Sequence, residues 1–158
     1  MDVIIITICD HHPYFCHLQI WSLCSSDGCG LIFEPYCGRH TWIEDTGLGQ
    51  GPNVVLSLVK KAELDAGSEV YFDNLFTSFP LLNRLSTMKI AGTGTVRMNR
   101  LFRVPIMKKK EFEKKDVKRG AIDVWYKGDI CLSGWKDSKP VYVASNKFSA
   151  STVDSTCR

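Results

Sequence analysis

No run of apolar residues in this 158-residue sequence approaches the ~20 needed to cross a bilayer as a helix. The longest candidate, residues 3–8 (VIIITI), has no basic flank before it, so neither a signal peptide, an anchor nor a membrane partner is expected. The seven cysteines are odd in number and irregularly spaced, which argues against a secreted disulfide framework and for a reducing compartment. No internal repeat is present, which excludes a repeat architecture. Acidic residues are scarce in one stretch. From Arg97 to Arg119 there are ten Lys or Arg against three Asp or Glu, a local balance of +7 on a remainder of −4. A basic block on an acidic body suggests contact with a polyanion, the alternative being a solvated, mobile loop.

What is present suits one ordinary domain with a real core: 158 residues, 44% of them hydrophobic. Residues 18–25 (LQIWSLCS) and 29–36 (CGLIFEPY) are β-prone runs around Ser26-Asp27-Gly28, which reads as a hairpin. Residues 38–51 form a Gly-rich polar loop. Pro52-Asn53 then opens a helix with Val54, Val55, Leu58, Val59 and Ala62 at helical spacing, ending near Gly67. A strand is expected at 69–72. A helix capped by Thr77 or Ser78 and carrying Leu81, Leu82, Leu85 and Met88 should follow, then a strand at 90–96. The order β-β-α-β-α-β implies a mixed sheet with helices on its faces. Beyond Arg97 the basic block reads as a loop or weak helix, and runs at 124–126, 130–135 and 141–144 as a small antiparallel β unit. Trp125 and Trp135 are expected in the core of that unit rather than as base-stacking platforms. The Ser/Thr-rich residues 147–158 read as a disordered tail.

The stretch EVYFDNLFTSFP, residues 69–80, places Asp73 where a strand ends and a helix follows. The tip of a strand in an open α/β sheet is a common position for a catalytic ligand. It is also where Asp and Asn cap helices and form turns, because their side chains accept from nearby backbone N–H groups. Local chemistry leaves both roles open.

Taken together, FEPYCG, DTGLGQGPNVVLSLV, VYFDNLFTSFPLLNRL, GTGTVRMNR and GWKDSKPVYVASN resemble the transposase domain of piggyBac-type DNA transposons and the host proteins derived from them. The blocks stand in family order from about Leu18 to about Asn146. The resemblance implies an α/β fold, a ribonuclease H-like mixed sheet with flanking helices, plus a β insertion unit. It divides the chain into a partial transposase core at 18–100, a basic linker and β unit at 101–146, and segments at 1–17 and 147–158 outside the core. In such a family three aspartates bind two divalent ions, Mg²⁺ or Mn²⁺, for DNA cleavage and strand transfer. Hard oxygen ligands suit those ions, and two of them can activate the attacking oxygen and stabilise the leaving one.

Asp73, in Asp-Asn-x-Phe-Thr-Ser, matches the second aspartate. The first would lie upstream of Met1 by family spacing. Asp10, in CDHHPYFCH, does not match it, nor does Asp154 match the third. The resemblance therefore implies a piggyBac-derived fragment that is inactive alone and binds no Mg²⁺ or Mn²⁺. The alternatives are a domesticated DNA- or chromatin-binding protein and a regulatory partner of a full-length transposase. A nuclear location, contact with transposon DNA and homo-oligomerisation are implied in the same way. Arg97, Asn99, Arg100, Arg103, Lys108, Lys109 and Lys110 are the candidate phosphate contacts, nearly blind to sequence and dependent on salt.

The lost first strand would leave two unpaired inner edges unless residues 1–10 replace it, and the β-branched run Val3 to Cys9 is suited to that. Cys9, His11, His12, Cys16 and His17 are crowded enough to raise a zinc site, but no second ligand pair follows at a familiar distance.

Overall fold

A computed structural model describes residues 1–9, 19–100 and 104–148. Its first strand, β1 (Asp2–Cys9), is the β-branched run DVIIITIC, and it lies inside the sheet. On one side it pairs antiparallel with β2 (Gln19–Ser25), Ile5 opposite Leu23. On the other it pairs parallel with β4 (Glu69–Phe72), Val3 opposite Val70 and Ile5 opposite Phe72. Both inner edges are thus satisfied by the segment expected to replace the missing strand. Residues 2–9 form the centre of the core sheet, although the sequence reading set residues 1–17 apart from it.

β3 (Gly30–Pro35) completes the expected hairpin with β2, and β5 (Ala91–Thr95) pairs parallel with β4. The later run forms the meander β6 (Ile122–Lys127), β7 (Ile130–Lys136) and β8 (Pro140–Ser145). β8 pairs antiparallel with β5, so the meander extends the same sheet instead of standing as a separate unit. The full order is β3-β2-β1-β4-β5-β8-β7-β6.

Strand alternation assigns the two faces. Val3, Ile5, Trp21, Leu23, Val70, Phe72, Leu132 and Ala144 are buried on one. Over it lie α1 (Gln50–Lys61), burying Val54, Val55, Leu58 and Val59, and α2 (Phe79–Thr87), burying Leu81, Leu82 and Leu85. Lys61 of α1 reaches Glu34 of β3 at 2.8 Å. Leu82 and Leu85 of α2 press on Gly92 so closely that a Cβ there would lie 3.1 and 2.7 Å from them. The short α3 (Lys109–Phe112) anchors the basic block on this face, where Phe112 is fully buried beside Tyr142, ring centroids 6.1 Å apart.

None of these three helices covers the opposite face. Ile4, Ile6, Phe33, Ile122, Tyr126, Trp135 and Val141 alternate onto it and are 36–56% exposed. Trp135 is therefore not a core residue, contrary to expectation, because its register partner Val141 points to the uncovered side. Trp125, one face over, is half-buried against Phe79 with ring centroids 5.8 Å apart.

An apolar surface of this breadth favours association. The 158-residue chain is expected to self-associate, and the double substitution Ile6→Lys with Phe33→Lys should bring its mass in light scattering towards 17.8 kDa. An unchanged mass would mean that this face does not drive association.

Candidate nucleic-acid interface

Asp73 stands immediately after β4 and is exposed. Its carboxylate Oδ1 accepts the N–H of Leu75. Its carbonyl accepts the N–H groups of Phe76 at 3.1 Å and Thr77 at 3.3 Å, and the Thr77 hydroxyl at 2.9 Å. These bonds reverse the chain into α2, whose N-cap Ser78 accepts from Leu81 N–H at 3.3 Å. Asp73 is thus a turn former by geometry. The same turn leaves its Oδ2 without a hydrogen-bond partner among the described residues.

The loop 73–78 is wedged between three elements. Phe76 and Thr77 are fully buried. Gly51 of α1 backs onto it so closely that a Cβ would lie 2.6 Å from the Leu75 carbonyl oxygen. Gly94 of β5 does the same from the other side, a Cβ there lying 2.4 Å from Thr77 Oγ1. The third element is the 3₁₀ turn Met98–Arg100. Arg97, just before it, donates through Nε to Asn74 Oδ1. Arg100 donates through Nη1 to Thr77 O at 2.6 Å and through Nη2 to Leu75 O at 2.9 Å.

The structure therefore brings Arg97 and Arg100, two of the candidate phosphate contacts, against the Asp73 loop, each exposed and each with its guanidinium bonded to that loop. Asn99 lies exposed between them. The lysine group is carried by α3, away from this turn in the chain. The Nζ of Lys108 donates to Val104 O at 2.7 Å and its N–H to the Glu111 carboxylate, closing the start of α3. Lys109 faces Glu113 at 3.7 Å across a half-exposed helix turn, a pairing worth little in water. Lys110 is exposed. Arg103 lies outside the described residues. Sequence reasoning overlooked Asn74, Gly51 and Gly94, whose roles depend on what packs against them.

The polar loop before α1 has a structural role. Asp45 accepts from Gly47 N–H and Asn53 Nδ2, both at 3.0 Å, and Asn53 Oδ1 accepts the Thr46 hydroxyl at 2.6 Å. The Gly47 N–H first, and then Asn53, hold the Asp45 carboxyl below its ordinary value.

A two-ion metal site needs several oxygen donors converging within reach of both ions. Continuing the β1–β4 register one residue past Ile5–Phe72 sets Ile6, an aliphatic, opposite Asp73. Among the described residues no group of three or more His, Cys, Asp or Glu is placed to hold a metal ion. The described residues therefore bring no such donor set to Asp73. The side chain of Cys9, with His11, His12, Cys16 and His17, lies outside what the structure describes, as do residues 149–158 of the tail. No helix among the described residues is long and apolar enough to cross a membrane.

The family model described as Transposase IS4 matches residues 6–158. Human PiggyBac transposable element-derived protein 2 is 33% identical over 147 residues, which is 89% of this chain and 24% of that protein. Human PiggyBac transposable element-derived protein 3 is 35% identical over 130 residues, 78% of this chain and 21% of that protein. The chain thus spans about a quarter of the length of these relatives. Among solved structures, the cryo-EM structure of a piggyBac transposase synaptic complex with hairpin DNA superimposes with a TM-score of 0.73. That match has 22% identity and covers 98% of this chain and 34% of the other, which establishes a shared fold. The strand order around β1, the Asp-Asn-x-Phe-Thr-Ser turn and these matches agree: the chain belongs to the piggyBac-type transposase family.

Proposed function

We propose that this chain is a DNA-binding domain of a piggyBac-derived transposase that does not cut DNA by itself. The observation that carries this reading is the surroundings of Asp73: a basic turn packs beside it, while the register of β1 with β4, continued one residue, would face it with the aliphatic Ile6. The family's reaction, divalent-metal-dependent hydrolysis followed by strand transfer, needs carboxylates that the described residues do not bring to Asp73. Binding would draw on the +7 block from Arg97 to Arg119, contacting the phosphate backbone of transposon-end DNA in the nucleus, with no Mg²⁺ or Mn²⁺ held at Asp73. The structural relative was captured on hairpin DNA, which supports DNA as the ligand class.

The test is fluorescence anisotropy with a hairpin DNA across a salt series, paired with a nicking assay in Mg²⁺ and in Mn²⁺. The expected result is binding that weakens steeply with salt and no nicking in either metal. Binding indifferent to salt would remove the DNA reading. Nicking abolished by Asp73→Asn would remove the claim of inactivity. A second reading, docking onto a full-length transposase or onto another copy of this chain, is favoured by the uncovered apolar sheet face.

A further inference from the structure

We propose that Arg100, seconded by Arg97, is a positioning residue for Asp73, and that its guanidinium holds the 73–78 loop rather than a DNA phosphate. The geometry of the fork carries this. Its two terminal nitrogens reach carbonyls two residues apart, Thr77 O at 2.6 Å and Leu75 O at 2.9 Å, from outside the loop. Neither carbonyl accepts another hydrogen bond among the described residues. The N–H groups of the same segment are turned the other way: those of Leu75, Phe76 and Thr77 all donate to Asp73, one to its carboxylate and two to its carbonyl. Leu75 and Thr77 therefore each donate to Asp73 with their N–H and accept from Arg100 with their carbonyl. Moving Arg100 moves the frame that aims the Asp73 carboxylate.

Arg97 fixes Asn74, the residue between Asp73 and Leu75, through its Oδ1. Gly51 and Gly94 back the loop from α1 and β5, so the arginines close its remaining side. The planar fork presents two donors in fixed geometry to the two carbonyls at once, and an alanine at this position removes both. A guanidinium committed in this way adds to the local positive potential while two of its five N–H donors hold the loop. Lys110, exposed on α3, remains a candidate to meet phosphates directly.

This rests on the reading of Asp73 as part of the DNA site, but its decisive measurement needs no DNA. Amide hydrogen exchange on the full chain reports Leu75, Phe76 and Thr77, the three N–H groups bonded to Asp73. Arg100→Ala is expected to speed their exchange by about tenfold and Arg100→Lys by no more than that, with Val70 and Phe72 in β4 unchanged, as for local opening. A role confined to global stability would move β4 equally. The salt slope of hairpin-DNA binding should stay where it is in both variants.

Loop exchange unchanged in Arg100→Ala would overturn the proposal. So would a slope reduced by about one in Arg100→Ala and restored in Arg100→Lys, the signature of a phosphate contact. If Arg100→Ala does not fold, Arg100→Met, which keeps the stem and removes every donor, decides by the same criteria. If the protein binds no DNA, the function proposed above fails while the exchange result still stands.

Discussion

Gly94→Ala is expected to destabilise the fold by about 3 kcal/mol, although alanine in a strand is ordinarily better than glycine by ~0.5–1 kcal/mol. The sign is decided by space. A Cβ at Gly94 would lie 2.4 Å from Thr77 Oγ1, 2.5 Å from Phe72 Cδ2 and 2.6 Å from Phe72 O. Two of these neighbours belong to β4 itself and the third is a fully buried side chain bonded to the Asp73 carbonyl, so none can step aside independently. Either β5 separates from β4 or the Asp73 turn shifts. Urea unfolding followed by tryptophan fluorescence measures the first, with Thr95→Ala, an exposed position on the same strand, as a control expected within ~0.5 kcal/mol of the parent. A Gly94→Ala protein as stable as the parent would show that β5 and the Asp73 turn are not in this contact. The same substitution should accelerate amide exchange at Phe76 and Thr77 before it unfolds the sheet.

Asn146→Ala is expected to cost a similar amount, also about 3 kcal/mol, through lost hydrogen bonds rather than crowding. The Asn146 side chain lies where β8 ends and serves four groups. Its Oδ1 accepts Gly92 N–H at 2.6 Å, and its Nδ2 lies 3.0 Å from Ile90 O, 2.8 Å from Ser86 Oγ and 3.3 Å from Leu82 O. One amide thereby ties the meander to the start of β5 and to α2, across more than fifty residues of sequence. Truncation removes the partner of one N–H, two carbonyls and a hydroxyl, which outweighs the loss of any single bond. Asn146→Asp should be worse than alanine at neutral pH, since a carboxylate would face three oxygens where the amide offered donors. Thermal melts of both variants check the order, and an aspartate variant matching the parent would mean that this amide does not make the bonds assigned to it. The meander is attached to the core mainly through β8, which pairs with β5 over three residues, Thr93 to Thr95. Loss of Asn146 is therefore also expected to raise exchange in β8 before β4.

The alternation of LQIWSLCS and GLIFEP with Ser-Asp-Gly between them, the helical spacing of Val54, Val55, Leu58 and Val59, and the EVYF run were enough to place β2, β3, α1 and β4 from the amino-acid order alone. Those elements follow rules of period and turn chemistry that act over a few residues, and the cap of α2 was readable as Thr77 or Ser78 for the same reason, the structure placing it at Ser78. The position of Asp73 at a strand tip was equally local, as was the family likeness carried by its motif.

What surrounds Asp73 was not local. That the line of β1, continued, would set Ile6 across from it depends on the parallel register of β1 with β4, set by burying Val3 and Ile5 against the helices. That Arg100 bonds the carbonyls of Leu75 and Thr77, and Arg97 the side chain of Asn74, some twenty-five residues earlier, depends on a turn that no charge count records. Trp135 came out on the open face because a strand exposes every second residue, and which face lacks helices is settled only when all of them have packed. Period, caps and turns belong to the chain; register, and therefore which charges meet solvent and which meet backbone, belongs to the assembled sheet.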